Sequence, residues 1–138
     1  MKKIITLILT LIIISSCNNK YKKINKITHY YNGIIEDEIE YKINEFKDTV
    51  YNGFCKFYDE DGNLTKEQNF KNDLLNGESK FYWKNSKIRS IVIYNNDKVV
   101  IQKYNWDENG NLLDSNTIIN GNGVFKSYFR NGKILQTC

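Results

Sequence analysis

Hydrophobic residues follow two different patterns along the chain. Residues 4–14 form an apolar run that is interrupted only by two threonines. After residue 17, short stretches rich in Tyr, Phe, Ile and Val show partial alternation of apolar and polar positions, which favours strands. The stretch 34–46 comes closest to a helical period, but Tyr41, Ile43 and the flanking turns fit a strand as well. We therefore predict an all-β fold after the N-terminal apolar run.

Turn signals separate these stretches. The chain has eight glycines, and each of them follows Asn or Asp. Such pairs are the strongest short-range signals for tight hairpin turns, because both positions tolerate positive φ. The sequence therefore predicts successive antiparallel hairpins. The glycines expected at turns are Gly33, Gly53, Gly62, Gly77, Gly110, Gly121, Gly123 and Gly132.

A longer repeat underlies these turns. A lysine recurs at intervals of 24, 23 and 23 residues, each time ahead of a turn, at Lys56, Lys80, Lys103 and Lys126. An apolar residue follows each turn, the third unit has one extra residue before its turn, and residues 30–34 fit a degenerate earlier unit. A period of this length is typical of repeat architectures built from stacked supersecondary units.

The repeat pattern is Asn-Gly-x-x-Lys-x-Tyr, a turn, an apolar residue and a polar strand that returns to Asn-Gly. It stands in residues 52–58, 76–82 and 122–128, whereas the third unit has Val99 and Val100 for Asn-Gly and Asn105 for Tyr. The pattern resembles the MORN-variant repeat family, which includes the YwqK-type antitoxin proteins, over about residues 26–138. The resemblance implies an elongated meander of stacked antiparallel hairpins in a binding or scaffolding role, with irregular pairing around the third unit.

Alternation along the strands predicts a candidate binding surface. Cys55 and Phe57 should lie on one face, and Lys56 and Tyr58 on the other. Stacked repeats would then form a ladder consisting of Lys56, Tyr58, Lys80, Tyr82, Lys103, Lys126 and Tyr128. This ladder could meet a glycan, a peptide or anionic lipid head groups. Nearby acids or water must relieve the like charges. The alternative is a solvated face that only keeps the sheet soluble.

The N-terminal run has the flanks of a secretory signal. Lys2 and Lys3 precede it, and Ser15, Ser16 and Cys17 follow it. The run is shorter than the roughly 20 residues of a membrane-spanning helix. Its end resembles the bacterial lipobox, in which the cysteine is acylated and becomes the new N-terminus. An ordinary signal peptide and an uncleaved anchor with a chance cysteine are the alternatives.

We therefore predict a cleaved signal peptide over residues 1–16, a lipid-anchored tether over 17–25 and a β-hairpin repeat domain over 26–138. The chain would sit in the cell envelope, and Asn18 leaves the outer membrane open as its location in a bacterium with two membranes. Beyond the signal, 18 Lys and Arg stand against 16 Asp and Glu. That balance argues against a nucleic-acid partner, since such domains are usually strongly basic.

Residues for catalysis or metal binding are sparse. The single histidine, His29, has no nucleophile motif beside it and is expected near a turn. The acidic segments 59–63 and 107–111 place Gly fourth, whereas EF-hand calcium loops place it sixth, so turn chemistry explains both. Trp83 and Trp106 are expected to cover the sheet. We predict no enzyme activity, no metal and no cofactor.

Two cysteines remain beyond Cys17. We expect Cys55 to be buried and Cys138 to be free, because an elongated stack would separate them by more than the 7 Å or so that a disulfide allows between Cα atoms; a bridge is the alternative. The predicted function is a membrane-anchored binding or scaffold protein with a protein or glycan partner. The alternative, suggested by the family resemblance alone, is an antitoxin or immunity protein that neutralises a partner toxin.

Overall fold

The computed structural model describes residues 23–137, and all regular secondary structure within them is β-strand. The strands are β1 Lys23–His29, β2 Ile35–Ile43, β3 Thr49–Tyr58, β4 Leu64–Lys71, β5 Leu74–Leu75, β6 Gly77–Tyr82, β7 Ile88–Asn95, β8 Lys98–Trp106, β9 Leu112–Ile119, β10 Asn122–Gly123, β11 Lys126–Tyr128 and β12 Ile134–Thr137. The predicted all-β fold is confirmed, and strand β2 occupies residues 35–43 of the ambiguous stretch 34–46. The predicted signal peptide, Cys17 and Cys138 lie outside the described residues. Within them there is no helix that could span a membrane.

Strands β1 to β10 form one antiparallel sheet in meander order. Successive strands are neighbours along the sheet, except that β5 pairs with β4 while β6 takes the next place beside β4. This arrangement confirms the predicted meander of hairpins. Its first strand begins at Lys23, within the segment that was predicted to be tether. The last hairpin departs from the prediction, because β11 and β12 form a separate two-stranded sheet instead of continuing the stack.

At one end of its strands, the sheet has five-residue loops of a single kind. In the loop 59–63, the amide of Asp59 donates to the carbonyl of Asn63, and the amide of Gly62 donates back to the carbonyl of Asp59. The same two hydrogen bonds recur at this end in the loops 30–34, 83–87 and 107–111, in the loop 129–133 of the separate C-terminal hairpin and, at the opposite end of the strands, in the loop 44–48. The fourth loop residue always has positive φ, which Lys47 and Ser86 adopt at 69° and 63° where the other loops have glycine. The predicted turns at Gly33, Gly62, Gly110 and Gly132 are confirmed.

The opposite end of the strands has two-residue turns in addition to the loop 44–48. Both central residues have positive φ at 72–73, 96–97 and 120–121, as type I′ hairpins require. The prediction of turns was wrong for Gly53, Gly77 and Gly123, which lie in strands. Close packing explains Gly53: a Cβ atom there would lie 1.9 Å from Oε2 of Glu40, and the backbone φ is +132°. Glycine in a strand often marks such a close approach.

A row of side chains across the sheet forms its core. Its members are paired or adjacent from strand to strand, and all of them are buried. This buried row consists of Ile39, Cys55, Gln68, Ser79, Val92, Gln102 and Ile118. Cys55 is fully buried and carries a free thiol, as predicted. The row mixes apolar with polar side chains, so hydrogen bonds as well as burial decide how it holds together.

Candidate functional site

The predicted ladder lies within the sheet as an alternating row of acids and lysines. Lys56 on β3 is paired with Glu38 on β2 and with Glu67 on β4, and Glu67 is paired with Lys80 on β6. We call Glu38, Lys56, Glu67 and Lys80 the charged row. Like charges are therefore never direct neighbours in it, which confirms that nearby acids relieve the repeated lysines.

The tyrosines of the repeat are hydrogen-bonded to the acids of this row. The hydroxyl of Tyr58 donates to Glu38 at 2.5 Å, and that of Tyr82 donates to Glu67 at 2.7 Å. Each tyrosine thus reaches back to an acid on the preceding hairpin. Burial, followed by these hydrogen bonds, raises the pKa of Tyr58 to about 12 and also raises the pKa of Tyr82. Because the hydroxyls of Tyr58 and Tyr82 already donate within the sheet, Lys56 and Lys80 are the groups of this face that can bind a partner.

The third unit places a different residue at the position that continues the charged row across the sheet. Tyr104, not Lys103, is paired with Ile91 on one side and with Ser115 on the other. Register shifts flank Lys103 in both pairings, so the extra residue of this unit forms a bulge, which confirms the predicted irregularity. Lys103 lies at 3.5 Å from Glu78 instead.

The fourth unit leaves the row altogether. Lys126 lies in the separate C-terminal hairpin, with its Nζ at 2.6 Å from Oδ2 of Asp114, and the hydroxyl of Tyr128 donates to the same oxygen at 3.0 Å. The hydrogen bond from Lys126 holds the pKa of Asp114 below its usual value. Lys56, Tyr58, Lys80 and Tyr82 therefore lie together in one surface, whereas Lys126 and Tyr128 dock a hairpin.

A buried glutamine that the sequence analysis missed holds that hairpin. Gln102 is 1% exposed, and its Nε2 donates to the carbonyl of Lys126 at 2.5 Å. The amide of Lys126 donates back to Oε1 of Gln102 at 2.9 Å, and the Thr117 hydroxyl donates to the same oxygen. The side-chain amide thus pairs with β11 as a neighbouring strand would. The sequence did contain a signal for this role, because Gln102 is a long polar residue at the inward position that Cys55 and Ser79 occupy in other repeats.

The remaining candidates have structural roles. His29 ends β1 next to a turn and is exposed, as predicted. Oδ1 of Asp59 accepts the amide of Asn63 at 2.9 Å, so this carboxylate closes its own turn. Trp83 is buried, and its Nε1 donates to the carbonyl of Trp106 at 3.1 Å, which agrees with the expected cover over the sheet. No cluster of His, Cys, Asp and Glu suited to a metal ion occurs among residues 23–137.

Comparison with known proteins agrees with this arrangement. Residues 51–72, 75–96 and 121–138 match the profile of the MORN repeat variant. Three segments of the chain are therefore similar to MORN-variant repeats. The matched segments correspond to the hairpins of β3 and β4, of β6 and β7, and of β11 and β12, while the bulged hairpin of β8 and β9 is not among the matches. No curated protein and no solved structure matches the chain significantly.

Proposed function

We propose that this protein is a binding module of the cell envelope and not an enzyme, that a lipid on Cys17 tethers it to a membrane, and that the face bearing the charged row engages a protein partner. The main observation that supports this binding face is the charged row itself. It crosses four strands, so at a strand spacing of about 4.8 Å it presents alternating charges over roughly 14 Å. MORN-variant repeats support a repeat-based binding or scaffold role.

The alternation of charge favours a protein over an anionic membrane as the partner of this face. Clusters of basic residues bind anionic lipids, at about 1 kcal/mol for each lysine near the surface. Here the pairing of Lys56 and Lys80 with Glu67 offsets the positive potential. A protein segment with side chains of both signs can match such a row, and complementary charge supplies specificity more than affinity.

The position of the sheet along the chain suits a short tether. β1 begins at Lys23, six residues after Cys17. A fully extended chain of that length spans at most about 20 Å, so a lipid on Cys17 would keep the first hairpin close to the membrane surface. A partner toxin that arrives in the envelope is one form of the proposed protein partner.

Capture of the partner by the full chain tests this proposal. The full chain, purified with its membrane anchor, is used to capture proteins from envelope extract, and the bound protein is identified and titrated. The double substitution Lys56→Gln and Lys80→Gln should weaken its binding by roughly tenfold or more, since it leaves acids of the row without their lysines. The control is Lys71→Gln with Lys98→Gln, which changes two exposed lysines outside the row by the same charge. Equal binding by the two double variants would refute the assignment of this face.

A further inference from the structure

A cavity of about 280 Å³ lies between the ten-stranded sheet and the C-terminal hairpin. Its apolar walls come from Phe81, Trp106, Phe125 and Leu135. Phe81 follows Lys80 on the same strand, so its side chain points to the face opposite the charged row. The volume is near the lower end for small-molecule sites, which suits a ligand of a single ring or a single side chain.

One wall of this cavity carries an arginine without an acidic partner. The Cζ of Arg89 lies 5.7 Å from the ring centre of Phe81 and 5.5 Å from that of Trp83, within the range of cation–π contacts. Among the described residues, no carboxylate lies within ion-pair distance of Arg89, whereas Arg130 is 3.8 Å from Glu108. Arg89 is exposed to solvent, but the groups around its guanidinium desolvate it in part and lower its pKa. A guanidinium remains charged in proteins, so this position favours an incoming anion.

A second donor belongs to Asn105, a residue that lines the same cavity. The amide of Lys126 donates to Oε1 of Gln102, which fixes the orientation of that side chain and turns its Nε2 toward Oδ1 of Asn105, at 3.3 Å. Asn105 must therefore present its oxygen to Gln102 and its Nδ2 elsewhere. That Nδ2 is buried and has no hydrogen-bond partner within the described part of the chain, and Asn105 is only 3% exposed. A buried donor of this kind costs about 1–3 kcal/mol unless an acceptor satisfies it.

We propose that this cavity binds a small carboxylate with an apolar or aromatic body. One carboxylate oxygen would accept from the guanidinium of Arg89 and the other from Nδ2 of Asn105, while Phe81 and Trp106 enclose the body of the ligand. Arginine favours this ligand because its planar fork matches a carboxylate geometrically. The inference is independent of the charged row, which lies on the other face of the sheet.

Fluorescence titration of the full chain tests the proposal, because Trp106 lines the cavity and reports on its occupation. The probes are phenylacetate and its neutral isostere phenylacetamide, with empty detergent micelles as the blank. Phenylacetate should change the tryptophan emission in a saturable way. Phenylacetamide should bind more weakly, by roughly tenfold or more, since hydrogen bonds to a charged group are stronger than those between neutral groups. Equal binding of acid and amide, or no binding of the acid, would overturn the proposal without any variant.

Two substitutions then locate the site. Arg89→Gln should weaken phenylacetate binding by roughly tenfold or more. The matched control is Lys66→Gln, which removes another cation that lies over an aromatic ring, 4.3 Å from the ring centre of Phe57, but outside the cavity. The control should leave binding unchanged. Equal effects of the two substitutions would place the acid outside the cavity and refute the site.

The same titration distinguishes a free acid from the chain terminus of a protein. N-acetylphenylalanine serves as the model of a terminal carboxylate, and its carboxamide is the matched neutral probe. Stronger binding of phenylacetate supports a free small acid, and stronger binding of N-acetylphenylalanine supports capture of a chain terminus. If neither acid is bound more tightly than its amide, the cavity does not recognise carboxylates.

Discussion

Replacing Gln102 with leucine should release the C-terminal hairpin from the sheet. The substitution keeps the side chain near its original size but removes the amide that pairs with the backbone of Lys126 and accepts the Thr117 hydroxyl. Each buried polar group that loses its partner costs about 1–3 kcal/mol. Because Lys126 is only half-buried, water can replace part of the loss, and we expect about 2–4 kcal/mol in total for its amide and carbonyl.

The expected loss is local, so hydrogen exchange is the suitable assay. The amide of Lys126 donates to Gln102 in the native structure, and it should exchange roughly 30-fold faster or more in the variant, while amides in β3 and β4 keep their protection. The matched control is Gln68→Leu. Gln68 belongs to the same buried row and is 6% exposed, and its side chain makes no hydrogen bond with any of the described residues. Its replacement should be neutral or slightly stabilising, because it buries apolar area without orphaning a partner.

Two results would refute this reasoning. If Gln102→Leu and Gln68→Leu have the same effect on stability and exchange, the hydrogen bonds of Gln102 do not hold the hairpin. If Gln102→Leu accelerates exchange equally throughout the sheet, the hairpin is not a separate unit that this side chain docks.

Three further outcomes are expected. Cys17→Ser should abolish incorporation of a fatty-acid analogue and leave unprocessed precursor, as a gel of labelled cells would show; equal labelling would exclude the lipoprotein assignment. Gly53→Ala should lower the free energy of unfolding by about 1–3 kcal/mol more than Gly33→Ala, which a comparison of melting temperatures would show. The reason is that an added Cβ atom would lie 1.9 Å from a carboxylate oxygen at the first site and would meet nothing within 4 Å at the second. The raised pKa of Tyr58, about 12 in the folded protein against about 10 unfolded, stabilises the fold below pH 10 and loses this effect as the pH rises through 12. Tyr58→Phe should therefore flatten the decline in stability between pH 10 and 12, and an unchanged pH profile would mean that burial and the hydrogen bond to Glu38 do not raise the pKa of Tyr58.

Local signals in the sequence were enough to predict the fold and the two faces of the sheet. Alternation placed Cys55 inward and Lys56 outward, and both assignments agree with the observed burial and pairing. The glycines were less informative because two different constraints select glycine: positive φ in a loop, as at Gly62, and close approach of a neighbouring strand, as at Gly53. Conversely, Asn and Asp adopt positive φ without glycine, so the two-residue turns at 72–73 and 96–97 carried no glycine to reveal them.

The composition of the candidate surface was predictable only in part, because it depends on which strands are neighbours. Periodicity identified Lys56 and Lys80, but the acids that alternate with them lie in the intervening strands, and only the register shows that Glu67 faces both lysines. Counting along the chain also equated Lys103 with these lysines. The extra residue of the third unit instead forms a bulge at Lys103, and this bulge places Tyr104 at the position that continues the charged row.

The third repeat unit departs most from the sequence pattern, and in the structure it is the unit that holds the C-terminal hairpin. Lys80 pairs with Glu67 of the preceding hairpin and is followed two residues later by Tyr82, whereas Tyr104 of the third unit pairs with Ile91 of the preceding hairpin and is followed two residues later by Trp106. Its bulge and its buried Gln102 then receive a hairpin that no longer continues the stack, and the carboxylate cavity that we propose lies against that junction. Stacking identical repeats leaves no reason for a hairpin to turn away from the sheet. The departures from the repeat are therefore best explained together, as one change that ends the regular stack and builds a docking surface from its last full hairpin.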